Sequence, residues 1–310
     1  MKKICFPFAL LFFMFATLLS TRGQKIDLVL NLQNGQTYFQ DMVTVSQIDQ
    51  KVGDMDVNIE MEISGRMSFL VKEVGKDDYL MDVQYEKVSM RMALPMTPEI
   101  IMDSESTDSV NIFSMLMGKI VRQPFGVRMS RSGKVLEIIQ IEKIFDAMID
   151  QFTEIPEDQL QQIKSQLQDA YGEKSFKGSM EMVMAIYPEK PVAIGEKWNV
   201  QTSLMGMLDA KIDASYQLDQ NTREYRVITG NAEIKVSPES TLEMENADLR
   251  MDLEGTMLSS IKVDAVTGWI IAANFNQNIQ GNSVIQPSDD MPEGMSIPMK
   301  LVSNIEIKGK

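Results

Sequence analysis

Apolar side chains recur at every second position along most of this chain, and no other feature restricts its fold so strongly. Met55, Val57, Ile59, Met61 and Ile63 alternate with Asp, Asn and Glu. Ile26, Leu28, Leu30 and Leu32 have the same spacing, as do Tyr79, Met81, Val83 and Tyr85. The period returns at Ala210, Ile212, Ala214, Tyr216 and Leu218, at Leu249–Leu253, at Met257–Val263, at Trp269–Phe275 and at Met299–Ile307. Strict alternation places one set of side chains on one face of a pleated strand and the other set on the opposite face. Strands with one dry and one wet face fit an antiparallel sheet, because parallel strands are buried on both sides and read as continuous apolar runs. Gly53-Asp54, Gly75–Asp78, Ser132-Gly133, Gly230-Asn231 and Thr267-Gly268 fall between such runs and read as hairpin turns.

One region departs from period two. Ile141, Ile144, Phe145, Met148, Ile149 and Phe152 recur at three and four residues, a helical stripe. Pro156 suits a first helical position, Glu157 and Asp158 suit the positive end of the dipole, and Gly172 suits a stop. A third helical face is expected over Phe176, Met180, Val183, Met184 and Tyr187, ended by Pro188, although Met180, Met182 and Met184 also fit a strand. Residues 103–109 and 286–298 read as open loops.

The first residues read as an export signal. Lys2 and Lys3 precede an almost unbroken apolar run over Ile4–Leu19, and small Thr21 and Gly23 lie before Gln24. A membrane span needs about 20 apolar residues, so a cleaved signal fits this run better than an anchor. The single cysteine, Cys5, lies inside that signal and not at the cut, so no lipid anchor is expected. The mature chain then has neither thiol nor histidine. Cleavage removes three of the 30 basic residues and leaves 27 against 44 acidic ones, so the net charge goes from −14 to −17. That balance opposes binding to nucleic acid or to an anionic membrane surface. These features divide the chain into a signal (1–23), a first antiparallel β unit (24–138), a helical segment (139–187) and a second antiparallel β unit (188–310). The fold class is α+β, predominantly antiparallel β, with one large or two similar curved sheets around a central helical segment.

The two β units echo one another. Gly35-Gln-Thr-Tyr38 and Gly195-Glu-Lys-Trp198 both open a strand-like run through Gly-x-x-aromatic, and Tyr79 and Gly133 stand where Tyr225 and Gly268 stand in the second half. Such matched landmarks suggest an internal duplication, while shared hairpin grammar alone would also produce some of them.

The stretches "YPEKPVAIGEKW" (187–198), "NGQTY" (34–38) and "VTGWI" (266–270) resemble an uncharacterised secreted family, a domain of unknown function in Bacteroidota. Pro191-Val192-x-x-Gly195-Glu196-x-Trp198 is the most specific part. The resemblance implies an exported protein and supplies no catalytic residues. The architecture it implies is similar in fold type to periplasmic lipoprotein carriers, and a fold does not fix a function.

The residue types exclude several chemistries. Without histidine or a mature cysteine there is no Ser-His-Asp or Cys-His nucleophile and no His-ligated zinc. A carboxylate pair such as Asp77/Asp78 or Asp289/Asp290 would suit a hydrolase, but these pairs sit in expected turns. Calcium at 103–108 or 289–293 lacks the spacing of an EF-hand. Methionine is the anomaly: 24 of the 26 follow residue 23, several as Met-x-Met at 90/92, 115/117, 180/182/184 and 205/207. Thioethers suit Cu(I), yet residues two apart on a strand share a face and form a core stripe. Methionine also suits surfaces that accept varied apolar partners. The leading expectation is a non-enzymatic exported protein, periplasmic or extracellular, with no cofactor and no metal site. It would bind a lipid-like ligand or an envelope protein through a cavity lined by Phe145, Met148, Phe152, Met180, Met184 and Trp198. The alternatives are an envelope structural protein without a small-molecule site and, more weakly, a carboxylate-based hydrolase.

Overall fold

The protein was described from a computed structural model, covering residues 24–107, 111–149, 156–205, 209–237, 241–244, 247–287 and 293–310. The expected signal, Phe152 and Asp289/Asp290 lie outside these residues. The strands are β1 (Thr37–Val52), β2 (Met55–Val74), β3 (Asp78–Ala93), β4 (Ile100–Asp103), β5 (Phe125–Ser130) and β6 (Val135–Ile139), followed by β7 (Lys197–Leu204), β8 (Ala210–Asn221), β9 (Tyr225–Val236), β10 (Thr241–Met244), β11 (Ala247–Asp264), β12 (Ile270–Ile285) and β13 (Met295–Gly309). The helices are α1 (Ile112–Ile120), α2 (Glu142–Ile149), α3 (Glu157–Tyr171) and α4 (Glu173–Met184).

All thirteen strands belong to one antiparallel sheet, in the order β6-β5-β3-β2-β1-β13-β12-β11-β9-β8-β7, with β4 beside β3 and β10 beside β11. Of the two expected sheet arrangements, the single large sheet is the one formed. β1 pairs with β13 from Gln40↔Gly309 to Gln50↔Met299, so the two ends of the chain meet at mid-sheet. The edges β6 and β7 are joined in sequence by α2, α3 and α4.

Period two acts here as expected. On β8, Ala210, Ile212, Ala214, Tyr216 and Leu218 are buried and the residues between them are not. On β3 the alternation is reset midway. Tyr79, Met81 and Val83 face inward, and the register then slips at Glu86, opposite Arg66/Met67 on β2. From there Val88, Met90 and Met92 take the inner face opposite Gly65, Ile63 and Met61. Glu86 is the extra residue of this bulge, and its carboxylate accepts from Ser68 Oγ (2.6 Å) and Gln84 Nε2 (2.8 Å).

Several expectations are corrected. Residues 26–32 are buried at Leu28, Leu30 and Leu32 but form no ladder strand. Their backbone bonds go to separate partners: Ile26 exchanges two bonds with Val192, Leu30 N–H donates to Arg131 O, and Asn31 N–H donates to Thr267 O. Gly230-Asn231 is no turn but lies within β9, where Gly230 leaves room for the Tyr216 ring, and the β8–β9 turn falls at 222–224 instead. The expected third helix ends at Met184 and not at Pro188. The loop expected over 286–298 gives way to β13 from Met295. Pro298 is tolerated there because the β1 ladder stops at Met299, leaving Pro298 paired only with β12. α1 was not expected; Asn111 caps it by accepting from Ser114 N–H at 3.0 Å. β6 runs to Ile139, into the stretch assigned to the helical segment.

Two of the three landmark pairs occupy matching places; the third does not, because Tyr79 is buried in the core whereas Tyr225 is part-exposed with Lys262 Nζ 3.7 Å over its ring. Gly35 and Gly195 both have positive φ and donate to the far ends of β2 and β8, at Val71 O and Leu218 O. Tyr38 Oη accepts from Gln33 N–H (3.3 Å), and Trp198 Nε1–H donates to Ile186 O (2.9 Å). Each aromatic thus anchors the segment that precedes its own strand. The hairpin glycines act reciprocally: Gly133, between β5 and β6, abuts the Met184 carbonyl, and Gly268, between β11 and β12, abuts the Val29 carbonyl. A Cβ at either position would overlap backbone, and both glycines have positive φ. Gly133→Ala and Gly268→Ala are each expected to cost on the order of 3 kcal/mol or more in urea unfolding. Gly35→Ala, whose Cβ would meet nothing within 4 Å, should cost only the ~1–2 kcal/mol of a left-handed conformation. Equal losses at all three would contradict the reciprocal packing.

Candidate functional site

Among the described residues, the inner face of the curled sheet has a filled half and a half that lies outside the packed core. α4 sets the filled half. It lies between the sheet's two edges, contacting both β6 and β7. Glu181 Oε1 accepts from the β6 edge at Val135 N–H (2.9 Å), and Gly178 lets the helix approach the backbone of Leu204 and Met205. From its C-terminal turn, Met184 Sδ accepts from Gln40 Nε2 (3.2 Å) on β1, and Met182 Sδ accepts from Gln277 Nε2 (3.4 Å) on β12. Phe176 packs edge-on to Phe125 (5.0 Å) and Tyr85 (6.5 Å). Tyr38 and Phe69 hold the buried Trp269 ring at 5.0 and 5.1 Å.

The expected site residues fall mostly in this filled half. Phe145, Met180 and Met184 are buried members of the continuous apolar core. Trp198 is half-buried, its indole bonded to Ile186 O and its ring 6.1 Å from Tyr216. Met148 lies on α2, and its side chain, like all of Phe152, falls outside the described residues. Among the described residues, Phe145, Met180, Met184 and Trp198 line none of the three surface grooves.

The half outside the packed core lies toward the β1–β2 hairpin. Inner-face register carries Met42 and Ile48 on β1, Ile59, Met61 and Ile63 on β2, Met90 and Met92 on β3, and Met102 on β4. These residues are half-buried or exposed and lie outside the core cluster; Met42 is 36% exposed. α1 reaches β3 and β4, α4 contacts the edge strands β6 and β7, and α2 and α3 link α1 to α4. Bordering this strip, Met299 and Leu301 on β13 are partly buried against the core, and Ser46 Oγ and Ser303 Oγ meet at 2.9 Å across β1 and β13.

The outer face is polar. A groove of about 870 Å³ is bounded by Asp49, Asn58, Glu254, Gln280 and Lys300 among others. Hydrogen bonds from Gln47 and from Asn58 (2.6 Å) hold the Asp49 carboxyl below its usual range. A second groove of about 1030 Å³ runs over β7, β8, β9 and β11 and reaches Ser132, Lys134, Tyr187 and Glu189, and a third of about 380 Å³ runs over β9, β11 and β12. Asp78 takes a bond from Arg128 Nη1 (3.4 Å), and Asp103 Oδ1 accepts from Glu105 N–H in a local turn. Among the described residues, no three His, Cys, Asp or Glu side chains gather to hold a metal, and no helix is long and apolar enough to cross a membrane.

Residues 76–270 match a family described as "Family of unknown function (DUF6263)", and the chain belongs to that family. The match includes "YPEKPVAIGEKW" and "VTGWI" and stops short of "NGQTY". No curated protein matches. Among solved structures, an outer-membrane channel from Pseudomonas putida F1 overlaps at 7% identity, over 91% of this chain and 97% of that one, with TM-score 0.28. OmpF of Salmonella typhi in complex with daunomycin overlaps at 5% identity, over 91% and 100%, with TM-score 0.21. A DUF1329 family protein from Desulfovibrio piger overlaps at 8% identity, over 87% and 83%, with TM-score 0.12. At these TM-scores the likenesses carry no argument about this chain.

The wall of the filled half has a titration signature. Burial pushes the Tyr216 phenol from its ordinary 10 up to about 12, and burial raises Tyr85 and Tyr187 further. Below about pH 10 both folded and unfolded chains keep the Tyr216 proton. Between about 10 and 12 only the folded chain keeps it, so stability falls as pH rises through that window. With no histidine, stability should stay level from about pH 6 to 9. Tyr216→Phe should then remove on the order of 2–3 kcal/mol of the alkaline loss. Urea unfolding across pH checks this, and an unchanged alkaline slope in the variant would contradict it.

Proposed function

We propose that the chain is exported and holds the hydrocarbon chain of a lipid-like ligand on the uncovered inner face of β1, β2 and β3. The observation that supports this is the strip of Met42, Ile48, Ile59, Met61, Ile63, Met90 and Met92, apolar and only half-buried. Leaving such a surface in water costs about 25 cal/mol per Å² of apolar area, so an apolar occupant is favoured. Methionine's flexible, polarizable side chain suits an occupant of variable shape. From Met42 to Ile48, with Thr44 and Ser46 on the same face between them, the strip is roughly 20 Å long by strand rise. An acyl chain filling one leaflet reaches about half the ~30 Å hydrocarbon thickness of a bilayer, so the strip accommodates one such chain lengthwise. The amino-terminal sequence supports export, and the acidic surface favours free diffusion over adhesion to anionic membranes.

A second reading, a structural role in the cell envelope through a protein partner, draws on exposed Ile100, Ile101 and Phe113 around β4 and α1.

Titration of residues 24–310 with a fluorescent fatty acid separates the two. A saturable one-to-one complex is expected. Met61→Glu or Ile63→Glu should weaken it at least tenfold, about 1.4 kcal/mol, while Val45→Glu on the outer face should leave it unchanged. Absence of binding, or equal loss in all three variants with the fold intact by circular dichroism, would overturn the lipid reading.

A further inference from the structure

We propose that Met61, Met90, Met92 and Met102 form a thioether site for a soft monovalent cation, Cu(I) in the chemistry of an exported protein. This site does not depend on the lipid reading. Sheet register makes the quartet. Met61 is directly opposite Met92 across β2 and β3, and Met90 is directly opposite Met102 across β3 and β4. Met90 and Met92, two apart on β3, share the inner face only because the Glu86 bulge resets the alternation of that strand. Directly opposed residues have Cβ atoms about 4.5–5.5 Å apart and diagonal ones about 7–8 Å. Flexible methionine side chains span such gaps, so three sulfurs can converge on one ion. Met90 and Met92 belong to either trio, with Met61 on one side or Met102 on the other.

Accessibility and chemistry agree with this placement. All four residues are half-buried and outside the core cluster. Among the described residues no amide donates to their sulfurs, whereas Met182, Met184, Met257 and Met299 each accept from a glutamine. Other Met-x-Met pairs are less available: Met117, Met180 and Met184 are buried. Soft thioethers select Cu(I) over hard cations. With no histidine, and with its one cysteine in the amino-terminal signal, the mature chain offers a soft ion no thiolate or imidazole in competition.

The test is native mass spectrometry of residues 24–310 with Ag(I), a redox-inert probe of the same ligand preference, followed by anaerobic competition of Cu(I) against a chromophoric chelator. One ion per chain is expected. The volume-conserving double variant Met90→Leu/Met92→Leu should lose affinity at least tenfold while keeping its circular dichroism. Met117→Leu in α1 should bind as the parent does. Ile48→Glu, on the lipid strip but outside the methionine quartet, should weaken fatty-acid binding while leaving Ag(I) affinity unchanged, which keeps failure of this site distinct from failure of the lipid reading. No Ag(I) bound by the parent, or equal affinity in parent and double variant, would overturn the proposal.

Discussion

The ladder between β1 and β13 is the contact on which the rest of the structure depends. It pairs Gln40 through Gln50 with Gly309 through Met299, residues 249 to 269 positions apart in sequence. Without it the chain would form two antiparallel meanders, each with a long bare edge and half of an apolar face. Bare edges invite pairing with other chains, and a split face cannot be covered from one side. With the ladder formed, the sheet is continuous, the free edges become short β6 and β7, and α4 lies between them.

The arrangement then works by reciprocity. Segments 26–32 and 184–192 pair with each other at Ile26 and Val192 and receive hairpin glycines from opposite halves, Gly268 on one and Gly133 on the other. These junctions give buried backbone groups of non-ladder segments their hydrogen-bond partners, which burial requires. They also fix where α4 ends, and so how far its methionines reach toward Gln40 and Gln277. Beyond that reach α1 contacts β3 and β4, the rest of the strip lies outside the packed core, and the lipid and soft-metal proposals both arise from its composition.

Much of the fold was legible in the sequence because alternation is a local signal. Ala210–Leu218 and Leu249–Val263 needed no partner to be read as strands, and Pro156 and Gly172 bracket α3, with Pro156 as the N-cap and not the first helical residue. Where the period misled, long-range contacts decided the outcome. Leu28, Leu30 and Leu32 alternate like a strand but are buried as a tie between two hairpins. Gly230 has the composition of a turn, yet its missing side chain makes room for Tyr216 inside β9. α1 was missed because "IFSMLMGKI" is apolar nearly all round and offers no polar stripe to reveal its period. Of the residues expected to line a cavity, Phe145, Met180 and Met184 belong to the packed core, because a helical stripe facing inward reads the same whether it borders a cavity or a filled core. The pairing of Met61 with Met92 and of Met90 with Met102 rests on cross-strand register and on a bulge at Glu86, which no local pattern announces.

A disulfide test reaches the central ladder directly, because the chain after residue 23 contains no cysteine to confuse it. Ser46 and Ser303 face each other across β1 and β13 with hydroxyls 2.9 Å apart. In residues 24–310 carrying Ser46→Cys and Ser303→Cys, mild oxidation should give a monomeric intramolecular disulfide in nearly all molecules, seen as a mass loss of two hydrogens. Free thiols that persist in the folded protein, or cross-links found only between chains, would contradict a single sheet closed by its two ends.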